Sequence, residues 1–143
     1  MSYWDTSALV KLYVQEADSA RYEELALAAT VVTGAIAMYE ALTVFRRREA
    51  EGAIPAEASV ELLERLAGDV ASGGIRVVWE ADEVRREFGE VLEKCFSQSP
   101  PVFIRTNDAL HIASAKASGE VEFVTADVRQ QTAAVLVGLT VLP

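Results

Sequence analysis

The sequence predicts an α/β fold, a three-layer α/β/α sandwich around a central, mostly parallel sheet. Three observations predict it. Short β-branched or aromatic runs alternate with longer helical patterns from end to end. Helical stretches stop at glycine, as at Gly52, Gly73-Gly74, Gly119 and Gly138. A hydrophobic content of 51% over 143 residues suffices for one substantial core and argues against disorder, so 1–143 is read as a single domain.

In order, residues 2–4 read as a strand and 6–14 as a helix. Asp18-Ser19-Ala20 starts a second helix that runs to about Ala28. Val31-Val32-Thr33 is a β-branched run ending at Gly34, which predicts the second strand. A helical pattern then spans Ala35 to Glu51. Pro55 suits the first turn of the next helix, which extends to about Ser72. Ile75 to Trp79 is the third strand and Ala81 to Phe96 a further helix. The paired prolines Pro100-Pro101 enforce a loop. A helix through Asp108 to Ala117, a strand over Val121 to Val124, a helix over Val128 to Val137 and a strand over Thr140 to Leu142 complete the chain.

Charge and composition narrow the function. A net charge of −9 excludes a generic basic nucleic-acid coat, but not an enzyme whose contacts to nucleic acid are local. No apolar run approaches the roughly 18 residues of a membrane span. No basic segment followed by an apolar core opens the chain. Cys95 is the only cysteine, so an internal disulfide is impossible and a reducing cytoplasm is expected. With one His and one Cys, a dedicated zinc site is not expected.

Four acids carry the chemistry. Asp5 follows the first strand and Asp127 the apolar Phe123-Val124 run; taken singly, each is an ordinary helix cap. Asp108 lies at the entrance of its helix, where an acid favours the dipole. Glu40 lies among Ile36, Tyr39, Leu42, Val44 and Phe45, on a helix whose nearly all-round apolar surface predicts burial. An ion pair with Arg47, two turns along, would satisfy it; so would a cation site. Taken together, Asp5 and Asp127 end strands at one edge of a parallel sheet, and Glu40 and Asp108 belong to helices entered from that edge. Two like charges about 4 Å apart repel by roughly 4 kcal/mol at an effective dielectric of about 20. A cluster of such acids must protonate or hold a cation, and an oxygen-only set suits Mg²⁺ or Mn²⁺.

The stretches DTSALVKLY, VTGAIAMYEALTVFRRR, RTNDALHIASA and FVTADVRQQTAAVLVGLTVLP resemble the PIN-domain nucleases. They come closest in style to the VapC-type toxins of toxin–antitoxin pairs, and they span the chain in the family's order. The resemblance implies a PIN-like fold and Mg²⁺-dependent RNA cleavage, with Mn²⁺ possible. Asp5, Glu40, Asp108 and Asp127 are then the catalytic and metal-binding residues. Asp5 and Asp108 are expected to ligate directly, and Glu40 and Asp127 through water. Ser7 and Thr125 are expected to brace the ligands. Arg46, Arg47, Arg105 and Arg129 are the candidate RNA phosphate contacts. His111, one turn past Asp108, is expected to be structural, and Cys95 inert. The resemblance also implies a homodimer and a VapB-type antitoxin whose tail covers the acidic crevice.

Other readings fare worse. An aspartyl-phosphate phosphotransferase wants a second Asp at position 7, where Ser7 stands. A receiver domain wants a lysine after a late strand, and Lys11, Lys94 and Lys116 are all elsewhere. A nuclease outside any toxin pair and a catalytically idle binding module remain as alternatives. No aromatic series for stacking bases is visible.

Overall fold

Strand β1 (Ser2–Trp4) runs through the middle of the sheet, and all three of its residues are buried. The computed structural model describes residues 1–143. Strand β1 pairs in parallel with β2 (Val31–Gly34) on one side and β4 (Glu122–Val124) on the other. Strands β3 (Ile75–Val78) and β5 (Thr140–Leu142) flank these, giving the all-parallel order β3-β2-β1-β4-β5.

Alternation along the strands builds the three layers. Trp4, Val31, Ile75 and Val124 face one helical layer. That layer comprises α1 (Thr6–Leu9, continued by a 3₁₀ turn over Val10–Leu12), α2 (Ser19–Ala28), α3 (Ile36–Ala50) and α4 (Ala58–Ala71). Tyr3, Val32 and Phe123 face the other, formed by α5 (Asp82–Phe96), α6 (Thr106–Ala117) and α7 (Val128–Leu136). Tyr3 stacks on Phe123 with ring centroids 5.5 Å apart. Gly34 makes room for it: a Cβ there would lie 2.6 Å from the Tyr3 hydroxyl. No helix is long and apolar enough to cross a membrane.

The connectivity positions the site. The chain steps outward from β1 to β2 to β3, then crosses back over β1 to build β4 and β5. The direction of winding therefore reverses between β1 and β4. In doubly wound sheets, that reversal opens a crevice at the carboxyl ends of the strands. Asp5 follows β1 directly, with its amide bonded to the Val124 carbonyl at 3.1 Å, and Thr125 to Asp127 follow β4.

Three local expectations change. The helix over 6–14 is a short α-helix that tightens to 3₁₀, a turn that accompanies the placing of Lys11 on Glu16 and Asp18 at 2.6 and 2.8 Å. Pro55 lies before α4, not in its first turn, because Glu57 adopts a left-handed backbone (φ 68°) and interrupts the helical path. Helix α3 is not buried all round: it buries Ala37, Ala41 and Phe45, while Tyr39 is exposed. Ala37, Ala41 and Phe45 make its buried face, and the side that carries Tyr39 opens to solvent.

Candidate active site

Asp5 is 1% exposed and fully cradled. Ser7 Oγ donates to Oδ1 at 2.7 Å and to Oδ2 at 3.0 Å, Thr125 Oγ1 donates to Oδ2 at 2.5 Å, and the Ala8 amide donates to Oδ1 at 2.9 Å. The hydroxyls are themselves oriented by the main chain. Ser7 Oγ accepts the Ala126 amide at 2.9 Å, and Thr125 Oγ1 accepts the Asp127 amide at 3.0 Å. Their hydrogens are thereby left for Asp5. The cap predicted for Asp5 is present through Ala8, and it is one of several bonds. Burial raises the Asp5 carboxyl above its ordinary range, against the opposing pull of His111, Thr125, Ala8 and Ser7.

Glu40 projects from α3 toward α1 and α6. Thr6 Oγ1 donates to its Oε1 at 2.8 Å, His111 Nε2 lies 2.6 Å from the same oxygen, and Asn107 Nδ2 donates to Oε2 at 3.3 Å. An ionised carboxylate only accepts, so Nε2 carries the hydrogen. On the other side of the ring, His111 Nδ1 lies 2.9 Å from the Tyr3 hydroxyl. Burial pushes the Glu40 carboxyl up, but the bonds and charge of His111, with Thr6 and Asn107, outweigh it and hold the group below its ordinary range. The Arg47 pairing, one of the alternatives open to Glu40 from sequence, does not form; Thr6, Asn107 and His111 take its place.

Asp108 and Asp127 form a second wall, here the outer wall, named for the 64% exposed Arg105 side chain that spans it; Asp5 and Glu40 make the inner wall. Arg105 Nε donates to Asp108 Oδ2 at 2.8 Å, and its Nη2 donates to Asp108 Oδ1 at 3.3 Å and to Asp127 Oδ2 at 3.4 Å. Asp127 also caps α7 by accepting the Arg129 amide at 2.9 Å. These two acids are thus held chiefly by a cation, where Asp5 and Glu40 are held by hydroxyls, amides and an imidazole.

All four acids line one cleft of about 410 Å³, together with Arg47 and Arg105. Arg129 Nε lies 3.7 Å from Asp127, and Arg46 faces Glu49 at 3.9 Å, outside the cleft lining. Cys95 is buried in the core. Sequence reasoning passed over Thr6, Asn107 and Tyr3. A signal existed for Asn107: it precedes His111 by four residues on a helix, so both reach the same carboxylate. No three Asp, Glu, His or Cys side chains are arranged around one point as a ligand set.

The family model for the PIN domain matches residues 2–136. The chain belongs to the PIN-domain family. Solved structures share the fold of this PIN domain at low identity. One is VapBC2 of Rickettsia felis bound to a promoter DNA fragment, at 16% identity, 99% of this chain, 98% of that one and a TM-score of 0.72. VapC20 of Mycobacterium tuberculosis, described as a sarcin–ricin loop cleaving toxin, gives 18% identity, 93% and 95% coverage and a TM-score of 0.69. A toxin–antitoxin complex from Klebsiella pneumoniae gives 11%, 100% and 97%, and 0.68. No curated protein matches this PIN domain at a significant level of sequence similarity.

Proposed function

We propose that this PIN-domain chain is a Mg²⁺-dependent endoribonuclease, able to use Mn²⁺, and the toxin of a VapC-type toxin–antitoxin pair. One observation carries the reading. Four carboxylates, delivered by segments that meet where the sheet reverses its winding, line a single cleft with arginines at hand. The donor set fits a hard divalent cation, because every anionic donor is oxygen and two of the acids already hold a cationic guanidinium. Such an ion, when bound, lowers the pKa of water and neutralises a phosphate.

The chain's own residues do the rest. Asp5, Glu40, Asp108 and Asp127 hold the ion, directly or through water. Ser7 and Thr125 fix the Asp5 oxygens, and Thr6, Asn107 and His111 fix those of Glu40. Arg47, Arg105 and Arg129 are placed to contact RNA phosphates, with Arg46 further out. Both His111 nitrogens are committed, to Tyr3 and Glu40, so no free imidazole is available to deprotonate a ribose 2′-hydroxyl. Water is therefore the nucleophile we assign, leaving 5′-phosphate and 3′-hydroxyl ends. An idle binding module would gain nothing from burying Asp5 against its desolvation cost.

RNA as substrate and an antitoxin as partner draw support from the shared fold of the solved toxins. A homodimer with an antitoxin tail over the cleft is the assembly this reading expects. End-labelled cellular RNA incubated with the purified chain is the test. Cleavage with Mg²⁺, none with EDTA, and none by Asp5→Asn support the reading. Cyclic phosphate ends, or equal cutting by the variant, refute it.

A further inference from the structure

Arg105 occupies the outer wall of the cleft in an unusual way. Its guanidinium forks onto both oxygens of Asp108 and also reaches Asp127. Nothing else holds that side chain, which is 64% exposed. Its backbone is extended, one residue ahead of α6, so the side chain can turn without disturbing the helix. Asp108 is the contrasting partner. Its side chain is 15% exposed and fixed in the first turn of α6. The movable member of the pair is therefore the arginine. While it stays, both Asp108 oxygens are engaged.

We propose that Arg105 is an intramolecular competitor for the divalent cation, its guanidinium holding the Asp108–Asp127 position until an ion displaces it. This rests on the reading of the cleft as a metal site. Displaced, Arg105 remains tethered at the mouth, where its charge is available to an RNA phosphate. The ion-free protein is spared the repulsion between Asp108 and Asp127, and the ion meets a site that must first be vacated. Arg129 cannot do this: it lies 3.7 Å from Asp127 alone, is 80% exposed and has no fork onto Asp108.

The two roles open to Arg105 have opposite signatures. An arginine that merely braces Asp108 and Asp127 would, on removal, loosen the acids and weaken ion binding. A competitor would, on removal, tighten it. The test is Mn²⁺ titration of metal-stripped full-length wild type and Arg105→Gln, without RNA, following the signal of free Mn²⁺ by electron paramagnetic resonance. An exposed ion pair sets the scale: the expected Kd of Arg105→Gln is about threefold to fivefold lower. Melting gives a second readout. Without ion, the variant melts at or below the wild type; with Mn²⁺, it gains more than the wild type does. Equal or weaker Mn²⁺ binding by the variant overturns the competitor and leaves the nuclease reading standing. Failure of both proteins to bind Mn²⁺ at millimolar concentration overturns both.

Discussion

The two walls of the cleft hold their acids by different physics. On the inner wall, Asp5 and Glu40 receive hydrogen bonds from Ser7, Thr125, Thr6, Asn107, His111 and a backbone amide. These donors fix position through many short hydrogen bonds, and two of the hydroxyls are themselves held by main-chain amides. On the outer wall, the exposed Arg105 guanidinium spans Asp108 and Asp127, and Asp127 also accepts the Arg129 amide. That guanidinium neutralises, but it also occupies the face of the acids turned to the cleft. A rigid wall opposite an exchangeable one suits a site that must attract a cation without collapsing before it arrives.

The largest effect that would test this contrast comes from Asp5→Asn. Cleavage should fall on the order of 10³-fold, as for a group acting within a catalytic unit. Stability should move the other way. Burial raises the Asp5 carboxyl in the folded chain, so its contribution is most favourable when protonated and is lost as pH rises from the unfolded-chain value through the raised folded one. In metal-free buffer at neutral pH, Asp5→Asn should therefore melt above wild type, by an amount reduced where its amide nitrogen replaces an oxygen that accepts Ser7 and Thr125. The advantage should vanish as pH falls toward about 4. Glu40 has the opposite sign. Its folded carboxyl is depressed, so its contribution is present above the unfolded-chain value and lost as pH falls through the lower folded one. Glu40→Gln should melt below wild type at neutral pH. Shifts of the same sign in both variants would erase the distinction drawn within the inner wall.

His111→Ala ranks next. It removes the Glu40 partner, leaves the buried Tyr3 hydroxyl without its ring partner, and opens a cavity in the core. A cost of about 3 kcal/mol is expected, or a fall in Tm of roughly 6–12 °C. His111→Gln, which keeps a donor and an acceptor, should recover part of that loss. Recovery of none would mean that ring packing, not the bond to Glu40, is what His111 supplies. No comparable loss is expected from any change to the outer wall.

The same division marks what could be read from sequence. The sandwich was legible because alternation between short β-rich runs and glycine-ended helices depends on local pattern, and strands such as Val31–Gly34 ended where expected. That the four acids line one cleft was legible because a parallel sheet brings the ends of β1 and β4 to one edge; their spacing within the cleft, which forms no three-acid ligand set, was not. The partners of those acids were only partly legible. Ser7 lies two residues from Asp5, so proximity in the chain revealed it; Thr125 was noticed beside Asp127, but the carboxylate it bonds is that of Asp5, 120 residues away. Thr6 and Tyr3 touch Glu40 and His111 across 34 and 108 residues, and nothing local announces such contacts. Arg105 was readable as basic but not as the partner of Asp127, 22 residues away. The all-round burial of α3 failed because periodicity does not say which residues of an apolar helix are buried, and Ala37, Ala41 and Phe45 are.

The smallest effect is the one that isolates the fork. Arg129→Ala removes an exposed guanidinium 3.7 Å from Asp127 but leaves the main-chain amide that bonds the same carboxylate at 2.9 Å. The Tm should change by no more than about 1–2 °C, since exposed pairs contribute little. Loss of one phosphate contact should raise the KM for RNA about twofold and reduce the salt dependence of binding by about one contact. Mn²⁺ affinity should stay within about twofold of wild type, in contrast with Arg105→Gln, because Arg129 does not occupy Asp108. The two variants remove the same charge from the same wall. If Arg129→Ala tightened Mn²⁺ binding as much as Arg105→Gln, the outer wall would be responding to net charge alone, and the position of Arg105 between two carboxylates would have no special consequence.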